Sequence, residues 1–415
     1  MGTEPATSTH RDMNPSLFAA VEMAPRDPIL GVTEAYNADT NPNKVNLGVG
    51  VYTDDSGKVP VLQCVRKVEQ ELAATALPRN YLPIDGLQAY DRAVQELVFG
   101  AGSRAISDGR IVTVQTLGGT GGLKVGADLL RRLNPSGQIW ISDPSWENHR
   151  ALFEYAGYTV NTYPYYEAQT HGIAFDAMLA ALGKLSAGSV VLLHACCHNP
   201  TGVDLMPEQW ERVLEVVNAR GLVPFLDMAY QGFAEGIDAD AAAVRRFTEA
   251  CPLVLVSNSF SKSLSLYGER VGALSIVADD SQVASRVLSQ LKRVIRTNYS
   301  NPPTHGGQAV AKVLTTPELR VLWESELGEM RDRIKAMRRQ LVDKIRAIRA
   351  DFDFSFVVNQ RGMFSYSGLT AKQVGVLRER YSVYAIDSGR ICVAALNTRN
   401  IDYVARAIGT VLLEQ

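Results

Sequence analysis

The chain has 415 residues, of which 46% are hydrophobic and 21% are charged, a composition typical of a globular protein with room for two domains. Its formal net charge of -2 argues against a nucleic-acid surface, because binding to a phosphate backbone requires a clustered basic excess. No apolar stretch is long enough to span a bilayer, and the N-terminus lacks a secretory signal pattern, so we expect a cytoplasmic protein.

The first 26 residues are expected to form a leader followed by an N-terminal arm. Residues 1–12 are rich in Thr, Ser and Pro without apolar periodicity, which predicts disorder. From Leu17 to Leu30 the apolar residues are scattered and interrupted by Pro25 and Pro28. This pattern predicts an arm that lies on another surface, and it hints at a partner subunit.

Between residues 61 and 133 the pattern predicts helices, a strand and an anion site. Val65, Val68 and Leu72 have helical spacing, and the strand 111–115 runs directly into the glycine-rich stretch 117–123 and a helix. A strand, a glycine turn and a helix N-terminus offer free N–H groups to an anion. The stretch is neither GxGxxG nor a P-loop, so dinucleotide or triphosphate binding is not expected.

The middle of the chain alternates strands and helices, which predicts an α/β domain with a mostly parallel sheet. Strands are predicted at 138–142, 190–194, 223–227 and 253–256. Because the carboxyl ends of parallel strands meet at one edge of a sheet, we expect Asn199, Asp227, Tyr230 and Lys262 to lie close together. This convergence is the strongest purely physical argument in the sequence.

Lys262 has the neighbours that a phosphorylated aldehyde requires. Ser259 and Ser261 can hydrogen-bond phosphate oxygens, and Arg270 is near enough in sequence to pair with the same phosphate. A lysine beside a phosphate site can hold a phosphorylated aldehyde as a Schiff base. The alternative is a surface lysine that follows a strand and a serine-rich turn.

The five cysteines show no metal-type spacing, and no metal is predicted. Cys196, Cys197 and His198 are adjacent, but neighbours in a strand point to opposite faces, so we expect them not to share a ligand. The other cysteines are Cys64, Cys251 and Cys392, and the odd total indicates reduced side chains.

The C-terminal part is predicted to form a smaller α+β domain. A long helix over 317–349 carries an apolar stripe, strand-like runs follow in 352–367 and 382–395, and helices are expected over 370–380 and 400–413. We expect this part, 326–415, to join residues 27–60 in one small domain. Residues 61–325 would form the large domain.

With these segments placed, the chain resembles the class I pyridoxal-phosphate aminotransferases of the aspartate and aromatic amino-acid group, from about Asp27 to the C-terminus. That resemblance implies the fold type I of pyridoxal-phosphate-dependent transferases. The motifs that carry it are GGTG at 118–121, DPSWENH at 143–149, CCHNPTG at 196–202, DMAYQGF at 227–233, SFSK at 259–262, YGERVG at 267–272, RTNYSNPP at 296–303 and SGR at 388–390.

The resemblance implies pyridoxal 5′-phosphate as cofactor and a role for each matching residue. Lys262 would bind the cofactor aldehyde and shuttle the substrate proton, and Asp227 would keep the ring nitrogen protonated. Tyr230 and Asn199 would hydrogen-bond the phenolic oxygen, Trp146 would stack on the ring, and His149 would support Asp227. The implied phosphate ligands are Gly119, Thr120, Ser259, Ser261, Arg270 and Tyr81 of a second subunit.

The resemblance also implies how a substrate is bound. Arg390, with Gly50, would hold the α-carboxylate, for which a two-pronged donor is suited. Arg296 would reach in from the neighbouring subunit to a side-chain carboxylate. Each active site of the implied homodimer would therefore borrow Tyr81 and Arg296.

The substrate range is left between two alternatives. The motifs around Lys262 and at 359–366 are similar to bacterial aromatic aminotransferases, whereas Val51, Asn80, Thr120 and Asn301 match the aspartate enzymes. We predict transfer from tyrosine, phenylalanine and aspartate to 2-oxoglutarate by a ping-pong reaction. The alternative is an aspartate aminotransferase with little aromatic activity.

Two rival functions share these residues. A pyridoxal-phosphate β-lyase would use Lys262, Asp227 and Arg390 but has no need of Arg296. A ligand-sensing domain of a transcription regulator would usually lose the lysine or carry an added DNA-binding domain, and the leader is too short for one.

Overall fold

The computed structural model describes residues 18–24, 28–76 and 78–413, except the side chains of residues 28 and 30. The predicted leader, residues 1–12, lies outside these ranges, as do residues 17 and 25–27 of the predicted arm. Of the described arm residues, 18–24 contain a turn and are exposed, and the backbone of 28–30 is helical. No helix in the described ranges is both long and apolar enough to cross a membrane.

Thirteen strands are formed by the described residues. They are β1 (Val45–Asn46), β2 (Ile111–Leu117), β3 (Ile139–Asp143), β4 (Val160–Pro164), β5 (Tyr166–Glu167), β6 (Gly172–Ile173), β7 (Val190–His194), β8 (Val223–Met228), β9 (Val254–Ser259), β10 (Val271–Val277), β11 (Phe364–Tyr366), β12 (Val383–Tyr384) and β13 (Arg390–Cys392).

Fifteen α-helices accompany them in the same part of the chain. They are α1 (Pro28–Ala38), α2 (Gln63–Thr75), α3 (Gln88–Phe99), α4 (Arg104–Ser107), α5 (Gly118–Leu133), α6 (Glu147–Tyr155), α7 (Phe175–Leu182), α8 (Pro207–Arg220), α9 (Ile237–Asp240), α10 (Ala242–Ala250), α11 (Ser281–Asn298), α12 (Thr304–Thr315), α13 (Pro317–Ile348), α14 (Ala371–Tyr381) and α15 (Ile401–Val411).

The large sheet has seven strands in the order β2-β10-β9-β8-β7-β3-β4. The sheet is buried on both faces, with one apolar cluster on each side. In strand β7, Val190 and Leu192 pack into one cluster, while Val191 and Leu193 pack into the other. Successive side chains of a strand point to opposite faces, so an unbroken apolar run requires helices on both sides. The predicted α/β class is confirmed.

Strands β4, β3, β7, β8 and β9 are parallel, whereas β10 runs antiparallel between β9 and β2. The carboxyl ends of β7, β8 and β9 therefore lie side by side, as predicted. Strand β10, which the sequence reading did not include, pairs Gly272 with Ser259. That register returns Arg270 to the serines that end β9.

The remaining elements support a smaller α+β unit. Strand β1 pairs in parallel with β12, which links residues 45–46 to the C-terminal part, and β11 pairs with β13. Of the stretch 352–367, in which strand-like runs were expected, residues 364–366 form β11, whereas residues 355–359 form a 3-10 helix, with Ser355 N–H bonded to the Asp353 side chain. The domain boundaries at 27, 60 and 325 stay predictions.

Candidate active site

A cavity of about 620 Å³ lies at the carboxyl ends of the parallel strands. Twelve of the predicted site residues line it: Gly50, Gly119, Thr120, Trp146, Asn199, Asp227, Tyr230, Ser259, Ser261, Lys262, Arg270 and Arg390. A second cavity, of about 670 Å³, lies beside residues 170–173 and α13 and contains none of them. The convergence predicted from the strand ends is thus present in the structure.

One end of the cavity is an anion cradle. Helix α5 begins directly after β2, so its first N–H groups have no partner within the helix. A Cβ added at Gly119 would lie 3.3 Å from Ser259 Cβ, and one added at Gly118, where φ is +67°, would lie 2.6 Å from Arg270 Nη2. Only glycine leaves this approach open. Arg270 Nη1 donates to Ser261 Oγ at 3.2 Å.

Lys262 lies three residues beyond the end of β9 and lines the cavity. Its Nζ is 5.2 Å from the centroid of the Tyr230 ring. Burial lowers the pKa of Lys262 to about 8, and Arg270 adds to this effect while Asp227 opposes it. A larger fraction of this amine is therefore neutral near neutral pH than for an exposed lysine.

Asp227, near the end of β8, is held by a buried histidine. His149 Nε2 lies 2.9 Å from Asp227 Oδ2, and His149 Nδ1 lies 2.9 Å from Ser145 Oγ. Burial opposes ionisation of Asp227, but the hydrogen bond and charge of His149, with His194 and Lys262, outweigh it. The pKa of Asp227 therefore lies below its usual value, and the carboxylate is ionised. The expected contact between His149 and Asp227 is present.

Arg390 is the buried cation at the other end of the cavity. The residue is only 1% exposed, and its guanidinium lies over the Phe364 ring at 4.4 Å. Nη2 donates to the Gly48 carbonyl at 2.7 Å and Nη1 to Asn199 Oδ1 at 3.1 Å. A Cβ at Gly50 would lie 2.6 Å from Phe364 Cζ, so glycine leaves room for the ring under Arg390.

The aromatic residues of the cavity have distinct places. Trp146 precedes α6 and packs edge-on against His149, with ring centroids 5.1 Å apart. Burial raises the pKa of Tyr230 well above its usual value, so its hydroxyl is a donor. The Asn199 carbonyl oxygen is engaged by Arg390, which leaves the amide nitrogen as its donor.

Tyr81 and Arg296 are not among the described residues that line the cavity. Tyr81 is 91% exposed, and Arg296, near the end of α11, is exposed and donates to Ser300 Oγ. Both were predicted to serve the site of a neighbouring subunit, and this remains a prediction.

Several cavity residues were missed by the sequence reading. The Tyr267 hydroxyl accepts a hydrogen bond from the Tyr52 backbone N–H at 2.9 Å, and Phe364 and His194 also line the cavity. Tyr267 belongs to the quoted motif 267–272, which could have drawn attention to it. Phe364 lies in the stretch 359–366 that was also quoted, but its place in the cavity depends on packing against Gly50 and Arg390, which the sequence does not show.

Cys196 and Cys197 were expected to point to opposite faces of a strand, and this expectation was wrong. Strand β7 ends at His194, and Cys197 has φ of +53°. Both thiols lie within 4.8 Å of the Asp240 carboxylate rather than on opposite faces. That carboxylate accepts three backbone N–H bonds, from residues 232, 234 and 235. Burial raises the pKa of Cys197 and favours the protonated thiol, which disfavours metal binding.

Comparison with known proteins identifies the family. The model of the class I and II aminotransferases matches residues 42–408. An aspartate aminotransferase of Pseudomonas aeruginosa is 59% identical over 96% of this chain and 100% of its own length. An aromatic-amino-acid aminotransferase of Escherichia coli is 49% identical over 95% of this chain and 100% of its own length.

Solved structures agree. The aromatic-amino-acid aminotransferase of Burkholderia pseudomallei, covalently bound to pyridoxal phosphate, superposes with a TM-score of 0.94 at 65% identity, over 96% of this chain and 100% of that one. The chain belongs to the class I and II aminotransferase family, and the resemblance drawn from its motifs is confirmed.

Proposed function

We propose that the protein is a pyridoxal 5′-phosphate-dependent aminotransferase that transfers the amino group of tyrosine, phenylalanine and aspartate to 2-oxoglutarate. One observation carries this proposal: Lys262, Asp227 and the Arg270 cradle line a single cavity, and His149 contacts the Asp227 carboxylate. The relative that is solved with covalently bound pyridoxal phosphate supports the same cofactor here.

The residues of the cavity fit the polar groups of this cofactor. Its phosphate would lie beside the start of α5 and would be held by Arg270, Ser259 and Ser261. An added Cβ at Gly118 or Gly119 would lie close to Arg270 or Ser259 and would narrow this site. Its ring nitrogen would face the ionised Asp227, and its phenolic oxygen would accept from Tyr230 and Asn199. When bound, the cofactor supplies an aldehyde that exchanges amines and a ring that withdraws electrons.

The chain's own groups would then position the substrate and move one proton. Arg390 would bind the α-carboxylate, because its fixed planar donors match a carboxylate. Lys262 Nζ, whose lowered pKa provides a neutral amine, would take the proton from the substrate α-carbon and pass it to the aldehyde carbon of the cofactor. Asp227, held ionised by His149, would keep a proton on the ring nitrogen.

The active sites are proposed to be shared within a homodimer. Tyr81 is 91% exposed and Met23, in the arm, is 97% exposed, so the side chains of both are accessible to a second subunit. Arg296, exposed at the end of α11, would enter the partner's cavity and bind a side-chain carboxylate.

The breadth of substrates is supported from two sides. Relatives named for aspartate and relatives named for aromatic amino acids both match nearly the whole chain. An aromatic donor would be accepted if Arg296 swings aside and leaves an apolar slot. The second candidate remains an aspartate aminotransferase, which the 59% identity to the Pseudomonas enzyme favours.

Steady-state kcat/KM values with 2-oxoglutarate test this substrate range. We expect tyrosine, phenylalanine and aspartate to react at comparable rates and leucine to react poorly. In Arg296→Leu, kcat/KM for aspartate should fall by about a hundredfold or more, because the charged contact to its side-chain carboxylate is lost. The value for tyrosine should be unchanged. Arg293→Leu, one turn earlier on α11, is the matched control. Negligible aromatic turnover in the wild type would identify an aspartate aminotransferase.

A further inference from the structure

Among the described residues, Glu147 brings its carboxylate within 4 Å of Arg390, the group proposed to bind the α-carboxylate. Glu147 Oε1 lies 3.9 Å from Arg390 Nη1. This separation is too long for a hydrogen bond, so the two groups attract each other without a fixed geometry. The Nε atom of Arg390 is buried and has no partner in the described part of the chain. The cation thus keeps donor capacity for another anion.

The position of Glu147 makes its carboxylate movable. It is the first residue of α6, at the positive end of the helix dipole, where a negatively charged side chain stabilises the helix. Its side chain is 35% exposed, whereas that of Arg390 is 1% exposed. Water can therefore hydrate Glu147 when it moves away, while Arg390 stays fixed by Gly48 and Asn199.

The charge of Glu147 also reaches the strand pair that carries Arg390. Tyr366 on β11 is the cross-strand neighbour of Arg390 on β13. Burial raises the pKa of Tyr366, the carboxylates of Glu147 and Asp143 add to this effect, and Arg390 opposes it. Glu147 and Arg390 thus act on the same small volume, where a substrate carboxylate would add a second negative charge.

We propose that Glu147 is a resident counter-ion of Arg390, which the substrate α-carboxylate must displace. This inference rests on the proposed function, since it takes Arg390 as the carboxylate clamp. Glu147 weakens the binding of every carboxylate substrate and pairs with the buried cation again when product leaves. A ping-pong reaction admits and releases two carboxylates in each cycle, so rapid exchange at Arg390 serves turnover. Glu147 is a positioning residue and does not touch the reacting atoms.

The test measures binding of unreactive carboxylates to the cofactor-loaded enzyme. 3-Phenylpropionate and succinate lack an amino group, and their dissociation constants can be obtained from the change in cofactor absorbance. In Glu147→Gln, both constants should fall by about threefold to tenfold, and by the same factor, because both ligands share the carboxylate that meets Arg390. Glu147→Ala should act in the same direction. Glu154→Gln, in the last turn of α6 and paired with Arg150, is the matched control and should change neither constant.

Three results would overturn the inference: unchanged constants, weaker binding, or a gain confined to succinate. The last would show that Glu147 acts on the distal carboxylate instead of on Arg390. A melting temperature for each variant separates charge removal from a frayed α6. If the wild type neither binds these ligands nor turns over amino donors, the proposed function fails. If it does both while Glu147→Gln matches the wild type, only the counter-ion role fails.

Discussion

His149 Nε2 lies 2.9 Å from Asp227 Oδ2, and this buried contact favours the ionised form of the Asp227 carboxylate. Burial alone would raise the pKa of Asp227, yet the histidine, with further help from His194 and Lys262, reverses the shift. A carboxylate that stays ionised in a buried site can hold a proton on a partner nitrogen. The contact therefore connects the structure of β8 and α6 to the proposed chemistry.

Replacing His149 should move the pH dependence of activity. Asp227 works in its ionised form and its pKa is low, so activity is lost as pH falls through that pKa. In His149→Ala the pKa of Asp227 rises, because the hydrogen bond and charge of the histidine are lost, and the acid limb of kcat/KM should move to higher pH. His149→Gln, which keeps an N–H donor, should restore part of the shift. His171→Asn, remote from the cavity, is the control, and an unmoved acid limb in His149→Ala would contradict the account.

The amine of Lys262 should titrate well below an ordinary lysine. Competitive labelling of the cofactor-free protein with acetic anhydride, followed by mass spectrometry of the Lys262 peptide, should give a midpoint at about 8. In Asp227→Asn the midpoint should move lower, because the carboxylate favours the charged amine. A midpoint of about 10.4, the usual pKa of lysine, would refute the lowered pKa.

Filling the space at Gly50 should weaken substrate binding. The added Cβ would lie 2.6 Å from Phe364 Cζ, so the ring must leave the face of Arg390. Loss of this buried cation–π contact is worth about 1–2 kcal/mol, so KM for every donor in Gly50→Ala should rise by about tenfold. Steady-state kinetics with tyrosine and aspartate would check this. A rise for only one of them would show that Phe364 supports the side chain of the substrate rather than Arg390.

A glycine on α14 offers a stability prediction. Gly375 lies inside that helix, and an added Cβ would meet nothing within 4 Å. Gly375→Ala should raise the free energy of unfolding by about 0.5–1 kcal/mol, because alanine loses less backbone entropy in a helix. Urea denaturation measures it, and the same variant serves as the kinetic control for Gly50→Ala. A lower denaturation midpoint would count against the described packing around α14.

The placement of Lys262, Asp227 and Asn199 at one edge of the large sheet could be predicted, because the apolar runs that form β7, β8 and β9 are visible in the sequence. These strands are parallel, so their carboxyl ends lie at the same edge. The phosphate cradle was predictable in part, from the strand and glycines before α5. The contact between Arg270 and Ser261 could not be derived from the strand pattern, because it depends on the pairing of β10 with β9. Strand β10 is buried on both faces, so its sequence lacks the alternation of apolar and polar residues that would identify a strand.

Contacts that depend on tertiary packing could not be predicted. The closeness of Glu147 to Arg390 joins residues far apart in the chain, and so does the fit of Phe364 between Gly50 and Arg390. The thiol of Cys197 was misplaced because Cys196 and Cys197 were treated as neighbours in a strand, although they lie beyond the end of β7 at His194, and the positive φ of Cys197 is not indicated by the local sequence.

The most direct test of the proposed function asks whether Lys262 takes up the cofactor covalently. The protein is incubated with pyridoxal 5′-phosphate, reduced with sodium borohydride, digested and examined by mass spectrometry. We predict a pyridoxyl-phosphate adduct on Lys262, together with turnover of amino donors, and loss of both in Lys262→Ala. Lys124→Ala, which removes an ordinary surface ion pair on α5, should retain both. An adduct on another lysine, or turnover that persists in Lys262→Ala, would contradict the assignment.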